Sequence, residues 1–548
     1  MNAAIFFAPD AYILEGRQMM GRRAAGAAFL RAAVEGRGDE PVIGYTIGQR
    51  NVEQFEQAVR SIDPVARVGW VRVGDHARLS PIGALHRADP VIGPEARLRL
   101  RSGAATFSLT GITHTVSSAG TLDAIAAYLI EPVMPWDALI CTSSVALDVA
   151  RSTIAQAADF LAWRLGTPVA PALPQMPIIP LGVHASDWRF DEAARHAARS
   201  RLSIGSDEVA ILFAGRLSYA AKAHPYQMFD ALRAVAERSR QPIRLLLAGQ
   251  FFNDNIEQDF LESQRLYAPN IRCQHIDGGK ADLYAAAFSG ADIFLSPADN
   301  IQETFGITPL EAMAAGLPVV VGDWNGYRDT VRDGVDGFRV PVWAPGPEAG
   351  ENIAHAYEIT GDYDAYSSRT STTVSLDMAS LVDRLAVLVE NSDLRRQMGA
   401  AGRGRVLDEF DWSVVYRRYR DLWRDLGEIR RSEAQRPSIA KLVTDAPHAH
   451  PAHDDPYRRF SSYPSRQVTG DTLARAAPGA SRAAFEALVA RPIFSFWRLD
   501  PAMAERVIAA AQAGPLPIRI IAEQAGLNDG RAIEHIARLA KMNLLIFE

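Results

Sequence analysis

The chain is poor in cysteine and in lysine. Its 548 residues include two cysteines, Cys141 and Cys273, which lie far apart and are flanked by apolar, strand-like residues. Such a pair argues against a disulfide framework or a cysteine-based metal site and indicates reduced thiols in a core. Only four of the 58 basic residues are lysines, and one of them, Lys222, lies in a polar segment that follows an apolar run.

Long apolar runs and a large net charge are also absent. No apolar stretch approaches the roughly 20 residues of a membrane span. The first residues carry no basic leader, and Asp10 interrupts their apolar run, which predicts a strand and not a signal peptide. The formal charge of −6 argues against nucleic-acid binding by general electrostatics. We therefore expect a cytoplasmic protein with no nucleic-acid partner, and attachment at the inner membrane face stays open.

Short apolar runs alternate with helical segments in both halves of the chain. The length is too great for one core, so two or three domains are expected. Runs such as Val209–Ala214 and Ile243–Gly249 are typical of buried strands. Strands alternating with helices predict an α/β fold of two doubly wound, Rossmann-like domains, residues 1–195 and 196–405, that face each other across a cleft.

One segment of the second half, residues 296–340, is predicted as a loop, a short helix and a buried strand. Glu303 lies in the loop and is followed by Thr304, Phe305 and Gly306, where a glycine lets backbone N–H groups approach a ligand. Pro309 suits the first turn of a helix. A helix N-terminus at the edge of a parallel sheet is an anion-binding site.

The two carboxylates of this segment, Glu303 and Glu311, can line one crevice. A carboxylate is a bidentate acceptor that suits the vicinal hydroxyls of a ribose or a hexose. The alternative for Glu311 is structural, because Thr308 and Glu311 fit a capping box.

His114 and Gly21 are candidates in the first half. His114 follows the predicted strand 107–112, at the carboxyl end where open α/β sheets place ligands. A hydrogen bond to the backbone is the alternative role for such a histidine. Gly21 stands between Gly16 and Gly26 in a predicted strand-to-helix turn, with spacings that differ from G-x-G-x-x-G. Packing is the alternative explanation for these glycines.

The segment from Glu303 onward carries a family resemblance. The run E-T-F-G-I-T-P-L-E-A-M-A-A-G-L-P-V-V-V, followed by G-Y-R-D-T-V and D-G-V-D-G-F, closely resembles the donor-site segment of GT-B fold glycosyltransferases of the family 4, or group 1, type. The resemblance implies that Glu311 holds a nucleotide ribose and that Glu303 contacts hydroxyls of the transferred sugar. It also implies that N–H groups near Thr304, Phe305 and Gly306 meet the diphosphate or the sugar.

The same resemblance gives roles to residues outside this segment. Arg216 and Lys222 would neutralise the diphosphate, whose charge rises as it departs, and the alternative is two solvated surface cations. His224 is either a further phosphate donor or a turn residue before Pro225. His114 would support the sugar from the first domain, and Gly21 would lie in a loop beside the cleft. A helix at 406–430 would cross back to the first domain.

The implied function is a glycosyltransferase that moves a sugar from a nucleotide-diphosphate donor to an acceptor hydroxyl, with retention of configuration and without a metal or other cofactor. The acceptor stays unidentified and could be a saccharide, a lipid-linked molecule or a small molecule. Two alternatives are a GT-B relative such as a phosphorylase or an epimerase, and a regulator that senses a nucleotide sugar and acts through a C-terminal winged-helix-like domain.

The remaining segments are predicted as irregular regions and a small domain. Residues 342–373 are expected to be irregular, and the D-x-D at 362–364 is rejected as a metal site because no apolar strand precedes it. Residues 431–470 are expected to be a linker. Residues 471–548 predict a small helical, winged-helix-like domain with nine basic and eight acidic residues, which favours protein contact or oligomerisation over DNA binding.

Overall fold

A computed structural model describes residues 1–13, 21–219, 222–494, 500–527 and 530–548. The chain divides into two units, Met1–His450 and Pro451–Glu548. The first unit contains two six-stranded sheets in which every paired strand runs parallel to its neighbours. The predicted pair of doubly wound α/β domains is therefore confirmed.

The first sheet has the strand order β3-β2-β1-β4-β5-β6. Its strands are β1 Ala4–Phe6, β2 Val42–Thr46, β3 Val68–Arg72, β4 Ala84–His86, β5 Ser108–Ile112 and β6 Ala138–Ile140. The helices of this half are α1 Pro9–Tyr12, α2 Gly21–Glu35, α3 Gln49–Ile62, α4 His76–Leu79, α5 Gly93–Arg99, α6 Ala119–Ala126, α7 Ser144–Leu165 and α8 Glu192–Arg201.

The second sheet has the order β12-β11-β10-β7-β8-β9, which repeats the connectivity of the first sheet. Its strands are β7 Val209–Ala214, β8 Ile243–Gly249, β9 Arg272–Asp277, β10 Ile293–Ser296, β11 Val319–Gly322 and β12 Gly337–Val340. The central strands are buried along their whole length, as expected for a parallel sheet that helices cover on both faces.

The helices of the second half include an excursion that the sequence did not predict. Residues predicted as irregular form a helical hairpin of α14 (Glu351–Thr360) and α15 (Tyr363–Ser371). The antiparallel strands β13 Val342–Trp343 and β14 Ser375–Leu376 pair at its base. The helices are α9 Pro225–Arg238, α10 Asp254–Tyr267, α11 Ala281–Gly290, α12 Ile307–Ala314, α13 Tyr327–Thr330, α14 Glu351–Thr360, α15 Tyr363–Ser371, α16 Met378–Glu390 and α17 Ser392–Arg405.

After α17 the chain returns to the first sheet. A π-helical turn, Val406–Phe410, leads into α18 Trp412–Glu433, and α19 Pro437–Thr444 follows. The aromatic stripe of α18 packs on the first half, where Tyr416 donates its hydroxyl to Asn2 at 3.0 Å and Trp423 donates its indole N–H to Thr110 at 3.2 Å. Because both halves contribute to one continuous buried cluster, α18 helps to fix them together.

The second unit has its own core, and the predicted helical C-terminal part is present. Its elements are α20 Pro456–Arg459, β15 Leu473–Ala476, α21 Arg482–Val489, α22 Pro501–Ala511, β16 Leu516–Pro517, α23 Ile518–Gln524, α24 Ala532–Lys541 and β17 Leu545–Phe547. The three strands form an antiparallel sheet with β15 in the middle. On α24, both Arg531 and Arg538 pair with Glu534, which reduces the positive potential of that helix. Among the described helices, none has the length and apolarity needed to cross a bilayer.

Candidate functional site

The candidate site lies at the switch point of the second sheet. There β7 and β10 are neighbours. From β7 the chain continues to β8, towards one edge of the sheet, and from β10 it continues to β11, towards the other edge. Open α/β sheets bind ligands in the crevice at the carboxyl ends of such strands. The loop after β7 carries Arg216 and Lys222, and the loop after β10 carries Glu303, so the topology places the predicted residues at this crevice.

The N-terminus of α12 has a backbone that requires glycine. Gly306 is the N-cap residue, with φ of +84°, and a Cβ there would lie 1.9 Å from the ring of Tyr327. That ring is fully buried and its hydroxyl pairs with Ser296 at 2.9 Å. The helix therefore begins tightly against the Tyr327 ring, and no side chain caps its first N–H groups.

The capping-box alternative for Glu311 is wrong. Helix α12 begins at Ile307, its N-cap is Gly306, and no side chain caps it, so Thr308 already lies within the helix. The Glu311 carboxylate instead accepts a hydrogen bond from the Tyr284 hydroxyl at 3.5 Å. Glu311 thus faces α11 and does not cap its own helix.

Lys222 and Glu303 form an ion pair. Both side chains are mostly buried, at 18% and 11% exposure. Gly215, with φ of +134°, lets the aliphatic part of Lys222 lie close, because a Cβ there would be 3.1 Å from the lysine Cε. The Asn325 side chain holds the other end of the loop by donating to the Glu303 carbonyl at 2.7 Å.

The same lysine influences Glu311. Burial raises the pKa of Glu311 to about 7, and the charge of Lys222 and the Tyr284 hydrogen bond oppose that rise. Lys222 therefore lies within electrostatic reach of both carboxylates. This arrangement can place one cation between two hydroxyl-binding carboxylates beside a helix N-terminus, which suits a phosphate flanked by two sugars.

Arg216 and His224 lie in the same loop. The Arg216 side chain is partly buried and forms no hydrogen bond or ion pair with the described residues, whose gap at 220–221 falls in this loop. His224 is the N-cap residue of α9, accepts from the Tyr226 N–H at 3.4 Å and precedes Pro225 at the first helical position. The structure thus favours the turn role for His224.

The first domain reaches the loop that carries Glu303. The Ser143 hydroxyl, at the start of α7, donates to the Thr304 carbonyl at 3.0 Å. The neighbouring Ser144 donates its N–H and its hydroxyl to the carboxylate of Asp329, at 2.6 and 2.8 Å. Thr304 and Phe305 are themselves buried. The carboxyl ends of the two sheets therefore meet here, as the predicted cleft requires.

His114 follows β5 and lies in the first domain. Its Nε2–H donates to the Ala88 carbonyl at 3.1 Å, so its Nδ1 is left as an acceptor. Burial, with a smaller effect from Arg22, lowers the pKa of His114 to about 4, so the ring is neutral at pH 7. Gly21 begins α2 next to Arg22, while Gly16 lies outside the described residues. No hydrogen bond or ion pair joins His114 or Gly21 to Lys222 or Glu303 within the described ranges.

Three residues of the site were missed from the sequence. Asp299 is 2% exposed, accepts from the His224 N–H at 3.0 Å, and has its pKa raised to about 7 by burial. Tyr284 contacts Glu311, and Ser143 contacts Thr304. Asp299, three residues after the end of an apolar strand, was a signal available in the sequence, whereas the partners of Tyr284 and Ser143 are distant in the chain. The described residues contain no group of three or more potential metal ligands.

Comparison with known proteins locates the resemblance. Residues 195–345 match the family model described as glycosyl transferases group 1, so the predicted resemblance is confirmed for this part of the chain. A phosphatidyl-myo-inositol mannosyltransferase of Mycobacterium tuberculosis (strain CDC 1551 / Oshkosh) is 32% identical over 207 residues, 37% of this chain and 44% of that protein. A D-inositol 3-phosphate glycosyltransferase of Geodermatophilus obscurus is 32% identical over 167 residues, 30% and 36% of the two chains.

The chain thus spans less than half the length of these relatives. Among solved structures, that of Anabaena HepE in complex with UDP is similar, with a TM-score of 0.48 and 14% identity, covering 74% of this chain and 97% of that chain.

Proposed function

We propose that the protein is a glycosyltransferase that moves a sugar from a nucleotide-diphosphate donor to the hydroxyl of an acceptor. The observation that carries the proposal is the meeting of Lys222, Glu303 and Glu311 around the N-terminus of α12, at the switch point of the second sheet. These residues lie within the segment that matches group 1 glycosyltransferases.

In this proposal the site acts mainly by positioning and electrostatics. Lys222, Arg216 and the N–H groups at Thr304–Gly306 stabilise the charge that develops on the departing diphosphate. Glu311 binds the ribose hydroxyls, and Glu303 binds hydroxyls of the transferred sugar. His114, neutral and with Nδ1 as an acceptor, receives a hydrogen bond from the sugar on the first-domain side.

The transfer is balanced without a further reactant. The bond between the sugar C1 and the phosphate oxygen breaks, and its electron pair leaves with the nucleoside diphosphate. The acceptor oxygen forms the new bond to C1, and its proton passes to the departing phosphate. We propose that attack takes place on the face from which the phosphate leaves, so that the configuration is retained, and that no metal is required because fixed cations and the helix N-terminus meet the charge.

The test is a thermal-shift panel of UDP, GDP and ADP on the full chain. A ligand present at a hundredfold excess over its Kd stabilises the folded protein by roughly 2.7 kcal/mol, which ranks the bases. We expect one nucleotide to raise the unfolding temperature of the wild type, and Glu311→Ala to abolish that rise. We expect Glu303→Ala to keep the rise and to lose most of the consumption of the corresponding nucleotide sugar.

Two results would overturn the proposal. One is the failure of all three nucleotides to shift the wild type. The other is unchanged turnover per folded molecule in both glutamate variants.

A further inference from the structure

The hairpin α14–α15 is an insertion in the second domain. Its two helices are joined by Gly361, with φ of +65°, and by Asp362, whose side chain caps α15 by accepting from the Ala365 N–H at 2.9 Å. The pair β13–β14 fastens its base by pairing Val342 with Leu376. The hairpin is therefore an ordered element.

At one end the hairpin touches the first domain beside His114. The hydroxyls of Tyr363 and Ser117 lie 2.6 Å apart. The Tyr357 hydroxyl accepts from the Ala119 N–H, at the start of α6, at 3.3 Å. Ser117 lies three positions after His114, so α15 holds the loop that follows the candidate sugar-binding histidine.

At the other end α15 touches the loop that leads to Glu303. The Ser367 hydroxyl donates to the buried Asn300 side chain at 3.0 Å, and the same Asn300 oxygen accepts from the Gln302 N–H at 2.7 Å. The Ser371 hydroxyl donates to Asp299 at 2.9 Å. Asn300 lies three positions before Glu303, so the helix fixes the approach to this carboxylate.

The contacts of Tyr363, Ser367 and Ser371 come from one face of α15. Tyr363, Ser367 and Ser371 are spaced at i, i+4 and i+8, which aligns their side chains along α15. Eight residues of helix span about 12 Å. A helix of this length is stiff, so a displacement of one loop is transmitted to the other.

We propose that Tyr363 is a positioning residue, which acts through α15 to fix the loop after His114 at a set distance from the loop before Glu303. The inference rests on the proposed function, because these two loops carry the groups assigned to the transferred sugar. Tyr363 does not touch the substrate in this proposal, and its effect is exerted through Ser117 on one side and through Ser367 and Asn300 on the other.

The test is hydrogen exchange on the full chain, comparing Tyr363→Phe with the wild type. Loss of the hydroxyl pair should speed exchange in residues 115–119, and through α15 also in residues 299–303. Tyr366→Phe is the matched control, because Tyr366 lies on the same helix and its hydroxyl makes no hydrogen bond among the described residues. This readout needs no substrate, so it is independent of whether the proposed activity is correct.

Activity gives the second readout. With whichever of UDP-glucose, GDP-mannose or ADP-glucose the protein consumes, Tyr363→Phe should lower kcat by roughly 3- to 10-fold, the worth of one hydrogen bond. The variant should keep the unfolding temperature and the affinity for the nucleoside diphosphate. Ser117→Ala should give at least this loss, because the Ser117 hydroxyl also pairs with Thr115 at 3.0 Å, and the double variant should lose no more than Ser117→Ala alone.

Faster exchange confined to residues 115–119 would overturn the inference, as would an unchanged kcat or additive losses in the double variant. A wild type that consumes none of the three donors counts against the proposed function, and the exchange experiment still decides the role of Tyr363.

Discussion

Lys222 and Glu303 form an ion pair across 81 positions of sequence. The pair joins the loop after β7 to the loop after β10, and so it crosses the switch point of the second sheet. In the proposed reaction the two members serve different parts of one ligand, the lysine the diphosphate and the glutamate the sugar. A phosphate that approaches Lys222 therefore competes with Glu303 for the same ammonium group.

Removal of the lysine is expected to weaken nucleotide binding strongly. Lys222→Ala takes away a charge-assisted contact worth about 1.5–3 kcal/mol, which corresponds to roughly a 10- to 100-fold rise in the Kd of the nucleoside diphosphate. Titration calorimetry with the nucleotide selected by the thermal-shift panel measures this change. Lys441→Ala is the control, because Lys441 is exposed and pairs with Asp445 at the end of α19. Equal affinity in the two variants would contradict the role of Lys222.

The raised pKa of Glu311 predicts a pH-dependent difference in stability. Burial shifts this pKa from its ordinary 4.5 to about 7, so the fold favours the protonated carboxyl. That contribution to stability is complete below about pH 4.5 and is lost as the pH rises through about 7, on the order of 3 kcal/mol in all. Glutamine does not titrate, so Glu311→Gln loses no stability in this way. We expect the unfolding temperature of the variant minus that of the wild type to increase from pH 5 to pH 8.

The measurement is the difference between the two unfolding temperatures at each pH, which cancels the titration of Asp299, since both proteins contain it. A difference that stays constant from pH 5 to pH 8 would show that Glu311 titrates normally.

The two glycines that flank α12 give a matched pair of variants. Gly306 and Gly316 have φ of +84° and +81°, so alanine strains both by a similar amount, about 1 kcal/mol or more. Only Gly306→Ala adds a clash, with the Tyr327 ring, while the space around Gly316 is open. Gly306→Ala should therefore lower the unfolding temperature clearly more than Gly316→Ala and should also weaken nucleotide binding. Similar temperatures for the two variants would mean that Tyr327 moves aside at little cost.

Much of the second domain was predictable from the sequence, because its strands are buried on both faces and therefore appear in the sequence as continuous apolar runs. Val209–Ala214 and Ile243–Gly249 were predicted with the bounds that the structure gives. Pro309 likewise marked the first turn of α12 correctly, since it acts through its own backbone.

The contacts that form the site were harder to predict from the sequence. Glu311 fitted a capping box with Thr308 by local spacing, and only the position of Gly306 as N-cap shows that the box does not form. The hairpin α14–α15 was predicted as irregular because its helices are short and polar, although Gly361 and Asp362 are ordinary helix-end signals. The pairing of Tyr363 with Ser117 spans 246 positions, and no local pattern encodes such a partner.

The first domain is held by a buried ion pair whose loss should be severe. Arg99 and Asp137 are both 0% exposed and make two hydrogen bonds, at 2.6 and 2.7 Å. The Asp137 carboxylate also accepts from the N–H groups of Leu109 and Met134, each at 2.8 Å. Asp137→Ala leaves a buried guanidinium and two N–H groups without their acceptor, so we expect a loss of about 3–5 kcal/mol in stability.

Arg87→Met provides the comparison, because Arg87 also pairs with carboxylates but is 13% exposed and close to the surface. We expect a smaller loss there, because the Asp89 side chain is 23% exposed and water can reach it, while burial raises the pKa of Glu95, which can take up a proton. Denaturant unfolding followed by far-UV circular dichroism measures both losses. If Asp137→Ala unfolds at the same denaturant concentration as Arg87→Met, the buried pair contributes no more than a surface contact, and the first domain must owe its stability to apolar packing alone.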